Sequence, residues 1–396
     1  MQIVQAVYGV FHHFELAHQL HRRGYLRRIY STWPWARLKR EGLPSELVRT
    51  FPLVHTGDYL LRQTPFYSAQ VESRLNEWNS LAFDAWLCRN LEPCDALIAI
   101  SGAGQRAGPL FQAAGGKFIC DRGSTHQRVQ NQILTEEYAR WNLPRLVISS
   151  HMIDREEAIY AAADAITVPS SVARRSFLRM GTSPEKVHII PYGVSLERFL
   201  PSQPPPAESF QVLFAGLISL RKGVPYLLEA FARLKHPYKR LTLVGAMHRD
   251  MLAIVRKLPT EHVEFAGILS QAELSARMSR SHVLALPSVE EGLALVQGQA
   301  LACGCPVIAT RATGAEDLFT DGIEGFIIDD RNTNALTDRL QQLADDSALR
   351  ERMSDAAIER MRSLRGWDAY GDHWDNLLHM LTGSPRGNSD SVTSQD

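Results

Sequence analysis

The 396-residue chain has no surplus of charge: 43 Lys and Arg stand against 43 Asp and Glu. Binding along a nucleic-acid backbone leans on excess positive charge, so that class of function is disfavoured. Cysteine is scarce, and the five present (88, 94, 120, 303 and 305) fall mostly in apolar segments. They are odd in number, and Cys303-Gly-Cys305 lacks the second pair of a zinc site, so neither a disulfide scaffold nor a zinc knuckle is indicated. A reducing cytoplasm fits this usage. No apolar run approaches the ~18 residues of a membrane-spanning helix. The start, Met1-Gln-Ile-Val-Gln-Ala-Val-Tyr8, has no basic leader and reads as a first strand rather than a signal peptide.

What is present is organised around His282 to Thr310. Val283 to Leu286 has the length and composition of a buried parallel strand, ended by Pro287 and Ser288. Glu290 and Glu291 follow in a loop, then a helix over about Leu293–Cys303, then Gly304 where a left-handed C-cap belongs. Val307 to Ala309 is the next strand. Two carboxylates thus lie at the carboxyl end of a strand, where α/β sheets bind ligands, beside a helix start whose free N–H groups suit an anion. A favourable helix dipole is the plainer explanation of the same pair.

Strand-like runs alternate with helical stretches throughout. Ile3–Val7, Ala96–Ile100, Phe118–Cys120, Ala165–Val168 and His188–Ile190 serve the first half. Val212–Ala215, Leu241–Val244, Val263–Ala266, Val283–Leu286, Val307–Ala309 and Phe326–Ile328 serve the second. The alternation predicts parallel sheets covered by helices on both faces. Pro204-Pro205-Pro206 marks an extended linker, giving an N-terminal domain over 1–200 and a C-terminal domain over 207–366. A final aromatic-rich helix is expected over about 367–381, crossing back onto the first domain through Trp367, Tyr370 and Trp374, before a polar, disordered tail over 383–396.

Seven fragments in order make the second half specific: Phe214-Ala-Gly216 through Arg221-Lys222-Gly223, Leu243-Val-Gly245, Val263 to Gly267, Pro287-Ser288-Val-Glu290-Glu291-Gly292, Ala302 to Ile308, Gly314 to Asp317, and Asp321 to Phe326. Together they resemble the family 4 retaining glycosyltransferases of GT-B fold, closely over 160–380 and loosely over the first 150 residues. The resemblance implies an α/β fold of two facing Rossmann-like domains with the active site in the interdomain cleft. It implies a hexosyltransferase that takes a UDP- or GDP-linked sugar and glycosylates a glycan or lipid-linked glycan with retention, in cell-surface polysaccharide synthesis. No enzymic nucleophile is then expected. The usual metal–diphosphate motif, Asp-x-Asp, is absent from the chain, so no metal and no cofactor beyond the nucleotide-sugar substrate are expected.

Departure of a nucleoside diphosphate needs positive charge, and Arg221 and Lys222, in the loop after the first strand of the second half, are placed to supply it. By resemblance Glu291 meets the donor sugar, and Gln299, where the family has a second glutamate, hydrogen-bonds the ribose without the charge. Gly216, Gly245, Ser288, Glu290, Gly292, Leu295 and Val296 complete the expected donor contacts. Leu217 stands where the family usually has arginine. On the acceptor side the candidates are Gly9, His12 and His13 after the first strand, with Asp121 and Arg122 after a later one. His126 is the counterpart of a family histidine near the donor sugar, set several residues late.

Three other signals compete. Gly102-Ala-Gly104-Gln-Arg-Ala-Gly108, with Asp121 some way on, resembles a dinucleotide-binding fingerprint, although no hydride-transfer set accompanies it. His13, His18 and His21 could gather a metal, but a packed or surface cluster is the simpler reading. Residues 21–40 hold seven Arg or Lys and no acid, interleaved with Tyr25, Tyr30, Trp33 and Trp35; they offer either a peripheral contact with the inner face of a membrane or a solvated face. Leu217 and Gln299 also leave open a donor-binding, catalytically weak scaffold subunit, and the same GT-B fold leaves open a nucleotide-sugar epimerase.

Overall fold

The computed structural model describes residues 1–61, 68–144 and 148–384. Thirteen strands are present among them. The first seven are β1 (Ile3–Val7), β2 (Leu26–Ser31), β3 (Val48–Thr50), β4 (Ala96–Ile100), β5 (Lys117–Asp121), β6 (Ala165–Val168) and β7 (Val187–Ile189). The rest are β8 (Phe210–Ala215), β9 (Lys239–Val244), β10 (Val263–Gly267), β11 (Val283–Leu286), β12 (Val307–Thr310) and β13 (Gly325–Ile328). They form a seven-stranded sheet in the order β3-β2-β1-β4-β5-β6-β7 and a six-stranded sheet in the order β10-β9-β8-β11-β12-β13. Each strand pair with a resolved register is parallel.

Near-continuous apolar runs explain the strands' place in the cores. β1, β11, β12 and β13 are buried along their whole length, as strands covered by helices on both faces must be. In each sheet the order reverses at one point, between β1 and β4 in the first and between β8 and β11 in the second. Loops that leave the strand ends on either side of such a reversal diverge and open a ligand-binding crevice.

The chain divides into two compact units, 1–121 with 154–166 and 370–396, and 122–153 with 167–369. Internal bonds tie the segment after Asp121 into the second unit. Glu137, fully buried, accepts from Tyr226 Oη at 2.8 Å, Trp141 Nε1 at 3.0 Å and Arg331 Nε at 2.6 Å. The last helix runs Gly366–Thr382, with Tyr370 and Trp374 buried. Apart from Gly383 and Ser384, the polar tail lies outside the described residues.

β2 and β3 are additions to the sequence reading. Leu26-Arg-Arg-Ile-Tyr-Ser does not look like a buried strand, because Arg27 and Arg28 interrupt it. Both guanidiniums leave the sheet to meet Glu92, at 2.8 and 2.5 Å. The stretch 21–40 is therefore not one face. Tyr30 is buried and donates to Asn90 O, Arg23 pairs with Asp372, and Trp33 stacks on His55 with Arg37 over its ring. Arg22, Lys39 and Arg40 remain exposed.

Candidate active site

Two loops of the second unit, one after β8 and one after β11, meet across the strand-order reversal. The first carries Arg221, Lys222 and Gly223. Gly223 has φ 66° and a Cβ there would lie 1.8 Å from Pro287 O, so only glycine lets the loops touch. Val289 N donates to Arg221 O at 2.9 Å, fixing the contact. Gly216 and Gly245 open the loops after β8 and β9, with φ 148° and 135°, and a Cβ on Gly245 would lie 1.9 Å from Gly216 O.

The adjacent glutamates have separate roles. Glu290 is 1% exposed and its bonding capacity is filled by its own unit. Oε1 accepts from Ser124 Oγ at 2.7 Å and Thr125 Oγ1 at 2.6 Å, while Oε2 accepts from Gln130 Nε2 at 2.9 Å and pairs with Arg221 Nε at 2.8 Å. Burial by itself would raise its pKa, but the Arg221 charge and these hydrogen bonds outweigh burial and hold the carboxyl at about 2. Burial likewise opposes the Arg221 charge, and Glu290 with Glu291 overcomes it, raising the arginine's pKa.

Glu291 takes the other side of the cluster. Its Oε1 contacts Lys222 Nζ and accepts from Ser288 Oγ at 3.3 Å, while Oε2 lies 3.8 Å from Arg221 Nη2. Lys222 and Arg221 keep about a fifth and a third of their side-chain surface in solvent. The cluster is thus a carboxylate flanked by two partly open cations, anchored from beneath by Glu290. It suits a ligand that brings hydroxyls and phosphate oxygens together.

The remaining donor-side candidates surround this cluster. Gly292 packs so tightly that a Cβ would meet Gly123 O at 2.1 Å, and its carbonyl accepts from Ser170 Oγ. Thr310 Oγ1 bonds Ser288 O, tying β12 to the same loop. The helix is Leu295–Ala302, two residues shorter at its start than the sequence suggests, because Leu293 and Ala294 are used to reach it. Leu295, Val296 and Gln299 are half-buried, whereas Gln297 is fully buried and bonds Ala294 O, Thr313 O and Thr313 Oγ1. Leu217 is 45% exposed.

Arg122 and His126 are internally engaged. Arg122 donates to Thr125 O and Gln130 Oε1, so it shapes the loop that holds Glu290. His126, 4% exposed, caps the helix Gln127–Arg140 through Nδ1, bonds Ser176 Oγ through its backbone N–H and sits edge-on to Phe177. Ser124, Thr125 and Gln130 escaped the sequence reading. Their only local signal is a Ser-Thr pair placed soon after a strand end.

The first unit gathers a different set. His12 and His13 open the helix Phe11–Arg22 after β1, and both reach Asp121 at the end of β5, at 2.9 and 3.4 Å. Burial lowers the pKa of His13 to about 3. Gly9 has φ 83° and a Cβ there would press on the Trp33 ring at 3.1 Å. His18 instead bonds Glu41 O and His21 is exposed, so those two do not join His13.

The glycine fingerprint after β4 also resolves. Asp84 already occupies the place a phosphate would take, accepting from the N–H groups of Gly104 at 3.0 Å, Arg106 at 2.9 Å and Ala107 at 3.3 Å. A Cβ on Gly108 would enter the Phe118 ring at 2.4 Å, so this glycine serves helix–strand packing. Two cavities in the second unit, of about 950 and 860 Å³, lie away from the cluster; the first is lined by the starts of β8, β9 and β10.

Comparison with known proteins shows what these features are similar to. Residues 197–360 match the family described as glycosyl transferases group 1. The fold is GT-B, two Rossmann-like parallel α/β units in one chain. Sucrose-phosphate synthase from Thermosynechococcus elongatus superposes with a TM-score of 0.72 at 21% identity, over 97% of this chain and 100% of that one. Anabaena Alr3699/HepE, solved with UDP and glucose, superposes with a TM-score of 0.68 at 18% identity, over 96% and 100%. Among curated sequences, the D-inositol 3-phosphate glycosyltransferase of Xylanimonas cellulosilytica is 28% identical over 236 residues, 54% of this chain and 56% of the relative. The protein of the same name from Pseudarthrobacter chlorophenolicus is 30% identical over 233 residues, 54% and 55%. The chain thus spans about half the length of the curated relatives it matches. Among the described residues no helix is long and apolar enough to cross a membrane.

Proposed function

We propose that this protein transfers a hexose from a nucleoside-diphosphate sugar to a glycan or lipid-linked glycan, with retention at the anomeric carbon, in polysaccharide synthesis at the cytoplasmic side of the cell. The observation that carries the reading is the Arg221–Lys222–Glu291 cluster at the strand-order reversal of the second sheet. Arg221 and Lys222 neutralise the diphosphate as the bond from C1 to its oxygen breaks. Glu291 takes the sugar hydroxyls, and Gln299 the ribose. The acceptor oxygen bonds to C1 on the face the diphosphate leaves, and the acceptor proton passes to a diphosphate oxygen. Two cations in place make a metal ion at the diphosphate unnecessary. UDP-glucose is the first donor to try, since a structural neighbour, Alr3699/HepE, was solved with it. The exposed cations Arg22, Lys39 and Arg40 support a peripheral contact with anionic lipid near the acceptor.

The test is thermal stabilisation by a panel of UDP-, GDP-, ADP- and TDP-sugars, since a ligand of the folded state raises the melting temperature by mass action. A shift with one nucleotide, lost in Lys222→Ala and reduced in Glu291→Ala, is expected. No shift with any donor, in folded protein, overturns the donor site. Binding without donor hydrolysis or transfer points instead to a scaffold, and interconversion of sugars with the nucleotide retained to an epimerase.

A further inference from the structure

We propose that His12, His13 and Asp121 form a binding site for a divalent transition-metal ion in the first unit, with one imidazole nitrogen from each histidine and one carboxylate oxygen as ligands. The three side chains come from the start of the helix after β1 and from the end of β5 in the same sheet, and are 3, 2 and 4% exposed. Among the described residues they are the one group of three or more His, Cys, Asp or Glu side chains whose ligand atoms converge, all within 4.8 Å of one another. Zinc–nitrogen and zinc–oxygen bonds of about 2.0–2.2 Å at tetrahedral angles place neighbouring ligand atoms roughly 3.3–3.6 Å apart. Asp121 Oδ2 lies 2.9 Å from His12 Nε2 and 3.4 Å from His13 Nε2, so a shift of a few tenths of an ångström admits the ion.

A second observation also points to a ligand. Neither ring nitrogen of His13 has a hydrogen-bond partner among the described residues, although the residue is 2% exposed. Leaving such a buried group unsatisfied is costly. The plainer account is two imidazoles packed as core, their centroids 3.9 Å apart. Packing alone is better served by an apolar ring at position 13, beside Phe14, Leu16 and Ala17 on the same buried face. Coordination satisfies one of the two orphaned nitrogens, and the ion takes the place of the hydrogen bond between His12 and Asp121. Two imidazoles with one carboxylate select a borderline transition ion such as Zn²⁺ or Co²⁺ over Mg²⁺ or Ca²⁺, which call for oxygen ligands.

The experiment uses tag-free, full-length protein stripped of metal. It is dialysed against Zn²⁺ or Co²⁺, with bound metal counted by elemental analysis and cobalt followed by its visible absorption. One ion per chain and the spectrum of a low-coordinate cobalt site are expected. Losing an outer-shell partner already costs about 10–100-fold in affinity, so His13→Ala and Asp121→Asn are expected to weaken binding by at least that much. His18→Ala, on the same helix but outside the group, is expected to bind normally. His13→Phe keeps the site packed if Asp121→Asn does not fold, and it too is expected to lose the ion. Sub-stoichiometric uptake by the wild-type protein, or uptake unchanged in folded His13→Phe, overturns the site. Because the readout is metal content, its failure is distinguishable from failure of the donor reading.

Discussion

Two neighbouring glutamates show how little a residue's type says about its role. Glu290 faces inward and is satisfied by Ser124, Thr125, Gln130 and Arg221, whereas Glu291 faces the open cations. Glu290→Gln breaks a buried pair whose other member is partly solvated. It is expected to cost roughly 2–3 kcal/mol in urea unfolding, and Glu291→Gln less than about 1 kcal/mol. The pair also has a pH signature. A folded-state pKa held at about 2 makes the stabilisation complete above the unfolded glutamate value near 4.3 and progressively lost as pH falls through that window. The wild type is therefore expected to lose more stability than Glu290→Gln between about pH 6 and about pH 3. Equal losses would show that Glu290 is not ionised in the fold.

At the scale of elements, the loops were harder to read than the strands. Ile3–Val7, Ala96–Ile100, Ala165–Val168 and Val283–Leu286 stand where their apolar runs put them, because a buried parallel strand needs little beyond a short apolar stretch. β2 was hidden by Arg27 and Arg28, whose partner Glu92 is over sixty residues away. The clamp on Glu290 was hidden for the same reason, since Ser124 lies 166 residues before it. Spacing within the sequence carries no trace of such pairings. The glycine pattern after β4, a fingerprint with no hydride-transfer set in the sequence to support it, has a structural use: its N–H groups bind an anion, and that anion is the protein's own Asp84. Asp84→Ala strips three N–H groups, two of them buried, of their acceptor and leaves Arg155, 1% exposed, without its carboxylate at 3.7 Å. A loss of about 3–5 kcal/mol is expected, read as a lower urea midpoint. A loss below about 1 kcal/mol would mean water replaces the carboxylate.

For the molecule as a whole, the two sheets lie in separate compact units, and the two proposed sites fall one in each. Arg221, Lys222 and Glu291 belong to the second unit, and His12, His13 and Asp121 to the first. Units with their own cores can unfold in separate steps, in which case one melting temperature does not describe the chain. Calorimetry is therefore expected to resolve two transitions. A nucleotide at about 100 times its dissociation constant adds about 2.7 kcal/mol to the unit that binds it. For units of this size that is roughly 5–11 °C on one transition, and Lys222→Ala is expected to abolish the shift. Zinc is expected to raise the other transition, in wild type but not in His13→Phe. If both ligands move a single transition together, the units unfold as one and the two sites are linked through the fold. If zinc moves the same transition as the nucleotide while a second stays fixed, the metal is bound in the wrong unit for His12, His13 and Asp121.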